Sequence, residues 1–248
     1  MILELDFKGK VAVITGAGSG MGLLASQKFA ESEAHVAMLD INEDAIKAEA
    51  AKLTEKGYSV LPIVCDVRKY EDIKKAVDLA KETFGRIDYT ISFAGGYAGR
   101  ILGDSNNIEE VRVETLDWSI DVNLRAPIYM AKAAFGYMKE NGGVAVHLGS
   151  ITGHEGGAPA YAPCKYGLLS FTKYLARQGA PHGIRSVCVS PGPVMTRPGM
   201  ASMKTLLGYA AEPIELVEAI MYLCSGHARS ITGCDYLIDG GRNVLFNK

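Results

Sequence analysis

Short apolar runs of strand length alternate with stretches of helical period along the chain. Val11 to Thr15 is an apolar run that ends in glycines, after which Met21, Ala25 and Phe29 recur one helical turn apart. Val36 to Asp40 predicts a second strand. Asn42 then reads as an N-cap with Glu43 and Asp44 in the first turn, and Gly57 stands where a glycine would close that helix. Ser59 to Val67 returns as a third strand. Ile73, Val77, Ala80 and Phe84 form one apolar stripe that stops at Gly85, and Asp88 to Ala94 gives a fourth strand.

A polar, glycine-containing stretch from Gly95 to Glu114 precedes a long helix from about Leu116 to Glu140 and a fifth strand at Val144 to Gly149. The pattern continues with a helix from about Tyr161 to Gly179, a strand at Ile184 to Ser190, a helix from about Pro213 to Leu223 and a last strand at Tyr236 to Ile238. Strands that alternate with helices in this way pair in parallel. No shift in composition and no repeat divides the chain. The expected fold class is therefore α/β, one doubly wound domain over residues 1–248 with a parallel seven-stranded sheet and helices on both faces.

Composition narrows the function classes. The chain is 48% hydrophobic and 22% charged with a formal net charge of −2, which leaves no basic footprint for nucleic acid or an anionic membrane. The apolar runs fall far short of the roughly 18 residues of a membrane span. The start, MILELDFKGK, lacks the basic and apolar regions of a secretory signal, so a cytoplasmic protein is expected. Five cysteines, none in a CxxC pair, give neither a disulfide framework nor a metal site.

Thr15-Gly16-Ala17-Gly18-Ser19-Gly20-Met21-Gly22 leaves the first strand and enters a helix. Glycines there permit a tight turn and close approach of backbone to a phosphate, and the helix N-terminus supplies amide donors. The spacing is G-x-x-x-G-x-G, and a purely structural turn is the alternative. Asp40 ends the second strand 18 residues after Gly22, close to the roughly 20 at which a carboxylate would bond a ribose 2′-hydroxyl and repel a 2′-phosphate. That favours NAD over NADP. No Lys or Arg stands in the loop or at Ile41 and Asn42 to reverse the preference. Asp40 could instead cap the next helix, and Asp66 could face an adenine or begin a turn.

Tyr161 and Lys165 lie one turn apart on a predicted helix, hence on one face. An ammonium near a phenol lowers its pKa from about 10, which suits the pair to proton transfer. A surface Tyr and Lys would give the same spacing by chance.

Taken in order, Thr15-Gly16-x-x-x-Gly20-x-Gly22, Asp40, Asp66-Val67, Ala94-Gly95, Asn123-Leu124, Ser150, Tyr161-x-x-x-Lys165, Pro191-Gly192-x-Val194-x-Thr196 and Asp239-Gly240-Gly241 resemble the short-chain dehydrogenase/reductase family, over Lys10 to Asn243. The resemblance implies a Rossmann-type fold and an NAD(H)-dependent oxidoreductase interconverting a secondary alcohol and a ketone. It implies Tyr161 as general acid/base, Lys165 as the group that lowers its pKa and holds the nicotinamide ribose, Ser150 as the hydrogen-bond donor to the substrate oxygen, and Asn123 as the holder of a water linking Lys165 to solvent. Cofactor contacts would come from Gly16, Ser19, Gly20, Met21, Gly22, Asp40, Ile41, Asp66, Val67, Ala94 and Gly95, from Tyr161 and Lys165, and from Pro191, Gly192, Val194 and Thr196 along the nicotinamide. Family members of this type form homotetramers, with homodimers the alternative.

The chain departs from the family pattern at Ser92-Phe93-Ala94-Gly95, where Asn-Asn-Ala-Gly is frequent, and at Val187, where an Asn is usual. Pro163 falls between Tyr161 and Lys165, which places the helix start near Tyr161, because only the first turn does not need its missing N–H.

Substrate walls are expected from about residues 95–115, 151–158 and 197–212, the segments beyond the carboxyl ends of strands. Tyr97, Arg100, His154 and Arg197 offer polar contacts or are solvated. Met195, Met200, Met203, Leu206 and Leu207 suggest an apolar lid or a helix packed on the sheet. Sugars or polyols, hydroxysteroids, cyclic ketones and oxoacyl compounds all fit a small-molecule substrate of this class. A catalytically silent nucleotide-binding regulator of the same fold competes, as does an epimerase or dehydratase.

Overall fold

The computed structural model describes residues 5–246, so the first four residues of the N-terminal reading lie outside it. Seven strands run in chain order: β1 (Val11–Thr15), β2 (His35–Asp40), β3 (Val60–Val64), β4 (Tyr89–Ser92), β5 (Gly143–Leu148), β6 (Ile184–Pro191) and β7 (Asp235–Ile238). They form one sheet in the order β3-β2-β1-β4-β5-β6-β7, every pair parallel. β1 and β4 are neighbours, so the winding reverses between them, and crossovers leave a crevice at the carboxyl ends of the two strands. β3 is shorter than the expected run and carries Pro62, which an edge strand tolerates because a missing donor there breaks no central ladder.

Both faces of the sheet are covered. On one, Phe29 of α1 (Gly20–Glu31), Ile46 of α2 (Glu43–Glu55) and Ile220 of α9 (Pro213–Cys224) pack against Ile14, Met38 and Ile91. On the other, Ile73 and Val77 of α3 (Tyr70–Phe84) meet Met130 and Met138 of α6 (Ala126–Met138) over Val13 and Leu39. Alternate residues of each central strand thus enter different cores, and the strands read as continuous apolar runs. The stops and caps are where the residues place them: Asn42 accepts from the Ala45 N–H, and Gly85 ends α3 in the left-handed conformation.

The long central helix is not uniform. It begins earlier than expected as α5 (Val113–Ile120), passes through a π-helical turn at Asp121–Arg125 and resumes as α6. Two further five-residue helices, α4 (Ala98–Leu102) and α7 (Ile151–Glu155), lie in segments expected to be loops, α8 spans Tyr161–Gly179, and α10 (Arg242–Phe246) closes the described chain. The segment 197–212 contains a 3-10 turn at Pro198–Met200 and a single parallel bridge from Ala211 to Val194, not a packed helix. Among the described residues no helix is long and apolar enough to cross a membrane.

Candidate active site

The crevice at the switch point divides into two adjoining cavities of about 450 Å³ each, which share Met21, Phe93, Gly95 and Thr196. The first lies against the glycine loop. Gly22 packs so closely on the turn that a Cβ there would stand 2.2 Å from the Gly16 carbonyl oxygen, so this helix can approach β1 only without a side chain. Ser19 caps α1 without a side-chain hydrogen bond and no acid occupies the first turn. The first-turn amides therefore face the cavity with the positive end of the helix dipole, which fits a diphosphate.

Asp40 stands at the rim of the same cavity. Its Oδ2 accepts the Gly18 N–H at 2.9 Å and its Oδ1 accepts the Asn42 N–H at 2.9 Å, which fixes the carboxylate between loop and helix α2. Asp66 follows β3, where Arg68 grips it through Nε at 2.9 Å and Nη2 at 2.7 Å. The Arg68 guanidinium holds that carboxyl below the usual carboxylate range against the opposing effect of burial. Arg68 also lines the cavity, a contact that local sequence did not signal. Ile41, Val67 and Ala94 complete this wall.

The second cavity contains the acid/base constellation. Ser150 follows β5 and starts α7 as its N-cap, its Oγ accepting the Thr152 N–H at 3.1 Å, which leaves the hydroxyl hydrogen available to Tyr161 on the cleft side. Tyr161 and Lys165 project from the first turns of α8, where Pro163 needs no N–H partner. Burial raises the Tyr161 phenol above its ordinary pKa, opposed by a hydrogen bond with Ser150 and by the charges of Arg100 and Arg197. Lys165 is buried, with Nζ donating to the Leu148 carbonyl at 2.6 Å and standing 5.5 Å from the centre of the Tyr161 ring. Desolvation brings its pKa down to about 8. Pro191, Gly192 and Val194 form the far wall.

Asn123 lies in the π-helical turn and is fully buried. Its Oδ1 accepts the Gly96 N–H at 2.9 Å, and its Nδ2 donates to the Gly96 carbonyl at 3.0 Å and to the Ser119 carbonyl at 3.0 Å. The amide thus pins the loop after β4. Gly95 in that loop has φ 153°, and a Cβ on it would stand 2.7 Å from Asn123 Oδ1, so this approach requires glycine at 95.

All three expected substrate segments contribute to the second cavity, with Tyr97 and Arg100 from the first, Ile151 and Thr152 from the second, and Arg197, Met200 and Met203 from the third. Met195 lies outside the lining, and Leu206 and Leu207 are exposed. His154 requires a correction. It is absent from the cleft wall because α7 turns it toward β7, where its Nε2 lies 2.7 Å from Asp235 Oδ2. Asn106 and Glu155 also occupy the wall, although neither belongs to a local sequence pattern.

The chain matches the family model described as Enoyl-(Acyl carrier protein) reductase over residues 16–243. It is 33% identical to cyclohexanol dehydrogenase of Acinetobacter sp. (strain SE19), covering 96% of this chain and 97% of that protein. It is 31% identical to D-threitol dehydrogenase of Mycolicibacterium smegmatis (strain ATCC 700084 / mc(2)155), over 98% of this chain and 96% of the relative. Among solved structures, L-sorbose reductase from Gluconobacter frateurii, complexed with NADPH and L-sorbose, superposes with a TM-score of 0.88 at 28% identity, covering 97% of this chain and 99% of that one. With the family model matched over most of its length and these relatives aligned end to end, the chain belongs to the short-chain dehydrogenase/reductase family of nicotinamide-dependent oxidoreductases.

Proposed function

We propose that the protein interconverts a secondary alcohol and a ketone with NAD(H), using Tyr161 as general acid/base. The observation that supports this reading most is the meeting of Ser150, Tyr161 and Lys165 at one wall of a cavity that adjoins the glycine-loop cavity. A bound nicotinamide supplies the hydride acceptor or donor. In oxidation the Tyr161 phenolate oxygen takes the hydroxyl proton, and in reduction the phenol returns it to the carbonyl oxygen. Ser150 donates to that same oxygen as charge builds on it. Lys165, held by the Leu148 carbonyl, is placed to steady the phenolate and to hold the nicotinamide ribose. Asn123 acts on the loop that carries Gly95 and Gly96 and positions it beside Lys165.

Asp40 supports NAD over NADP. Its carboxylate is fixed by two backbone amides at the rim of the cofactor cavity, and the adjacent Arg68 is committed to Asp66 instead of being free to meet a 2′-phosphate. The similarity to a reductase solved with NADPH makes this a point to measure. Initial rates with NAD⁺ and NADP⁺ over polyols, hydroxysteroids, cyclic alcohols and hydroxyacyl compounds test it. NAD⁺ is expected to give the higher kcat/KM by at least tenfold, and Asp40→Ala to narrow that ratio. An equal or reversed ratio in the wild type refutes the assignment.

The same reading takes the protein as a cytoplasmic homotetramer. Tyr166 and Tyr174, both exposed at 56% on α8, offer an apolar face of the kind that subunit packing covers. Light scattering should give four times the mass of the chain; a monomer mass refutes it.

A further inference from the structure

The second cavity is unbalanced in charge. Four side chains of its wall carry formal charges: Lys165, Arg100, Arg197 and Glu155. Glu155 is answered from outside the wall, its Oε1 lying 2.7 Å from Arg242 Nε. Lys165 is buried on the Leu148 carbonyl. The guanidinium groups of Arg100, at the end of α4, and Arg197, just beyond Thr196, have no ion-pair or hydrogen-bond partner among the described residues. Asp104, four residues beyond Arg100, is already taken by Arg112 Nε at 3.2 Å and by the Arg112 N–H.

Two unpartnered guanidinium groups from separate segments therefore line one cavity, in a chain whose net charge is −2. Both stand near enough to Tyr161 for their charge to act on the phenol. Guanidinium groups present planar pairs of N–H donors that match the oxygens of a carboxylate or phosphate. A neutral polyol, steroid or cyclic ketone would leave both without a counter-charge. The cofactor's own phosphates do not explain them, because neither arginine lines the glycine-loop cavity. Met200, Met203 and Ile151 in the same wall suit a short apolar body between the anionic end and the reacting carbon.

We infer that the substrate carries an anionic oxygen group, recognised by Arg100 and Arg197, on the same molecule as the hydroxyl or carbonyl that faces Tyr161. Arg100 and Arg197 are then specificity-determining residues, acting by charge pairing and by steering anions into the cleft. The inference rests on the oxidoreductase reading above and narrows its substrate class to hydroxy or oxo acids and phosphate monoesters.

The test uses substrate pairs that differ in charge and share a reacting group. One set is 3-hydroxy acids of four to eight carbons against their methyl esters, and the other is glycerol 3-phosphate against glycerol, each with NAD⁺ and NADP⁺. Wild-type protein is compared with Arg100→Gln and Arg197→Gln, which remove charge from exposed side chains that hold nothing else in the fold. At least one charged member is expected to exceed its neutral partner by tenfold or more in kcat/KM. Each substitution should cut that ratio at least tenfold, mainly through KM. The set that responds separates carboxylate from phosphate. Turnover of neutral members with no preference for charge, or a preference untouched by both substitutions, overturns the inference and leaves the oxidoreductase reading standing.

A second readout separates the two claims if no pair turns over. The same anions are titrated into protein with NADH while nicotinamide fluorescence is followed. Saturable binding that weakens tenfold in either variant supports the anion site although the proposed reaction fails. No binding of any anion to the wild type overturns it.

Discussion

Asn123 holds Gly96 from both ends of its side-chain amide, accepting from the N–H at 2.9 Å and donating to the carbonyl at 3.0 Å. The π-helical turn at Asp121–Arg125 delivers that amide into the sheet end, and such turns recur at functional sites because they re-aim one side chain of an otherwise continuous helix. Asn123→Ala should leave both groups of half-buried Gly96 without their partner, at up to about 1 kcal/mol for each because water can replace part of the lost bond. A lower melting temperature is expected together with reduced kcat, because the loop beside Lys165 loses its anchor. An unchanged melting temperature would mean that the amide does not fix the loop.

Gly22 is a sharper test of the cofactor cradle. A methyl group there would have to occupy space 2.2 Å from a backbone oxygen, so Gly22→Ala must push α1 away from the turn after β1. Binding of NADH, read by fluorescence titration, is expected to weaken at least tenfold. Gly136→Ala, where an added Cβ meets nothing within 4 Å, serves as the comparison and should leave binding as it is.

Acid sensitivity has an identifiable contributor far from the chemistry. His147 on β5 is fully buried beside Ser186, with its pKa pushed down to about 4 by desolvation. An unfolded histidine takes a proton near pH 6.5, while the folded one resists until about 4. The unfolded state thus binds more protons across that window, and stability falls as the pH drops through it, by about 3 kcal/mol in all from this one group. The fall in melting temperature between pH 6.5 and 4 should be smaller in His147→Gln than in the wild type. Equal falls would assign the acid sensitivity to the carboxylates instead.

Much of this architecture is legible along the chain because its signals are local. The apolar runs of β1, β2, β5 and β6, the Asn42 cap and the glycine stops at Gly57 and Gly85 each follow from a few neighbouring residues. The π-helical turn is not, since Asp121 to Arg125 has the same side-chain pattern as an ordinary helix and only a change of backbone pairing distinguishes it. Helices α4 and α7 are five residues long, too short for a period to emerge. The direction of His154 depends on Asp235, which lies 81 residues away in the chain. Arg68 likewise enters the cofactor cavity only because the strand order brings the end of β3 to the crevice.

Proton transfer by Tyr161 is read from the change in nicotinamide absorbance for wild-type and Tyr161→Phe protein over secondary alcohols with NAD⁺ and ketones with NADH. The substitution removes one oxygen from a half-buried ring at the cleft wall and should leave NADH binding within a few-fold. Turnover by the wild type that falls by about 10²–10⁴ in the variant is the expected result. Equal turnover by the two proteins would contradict it and assign the proton to another group.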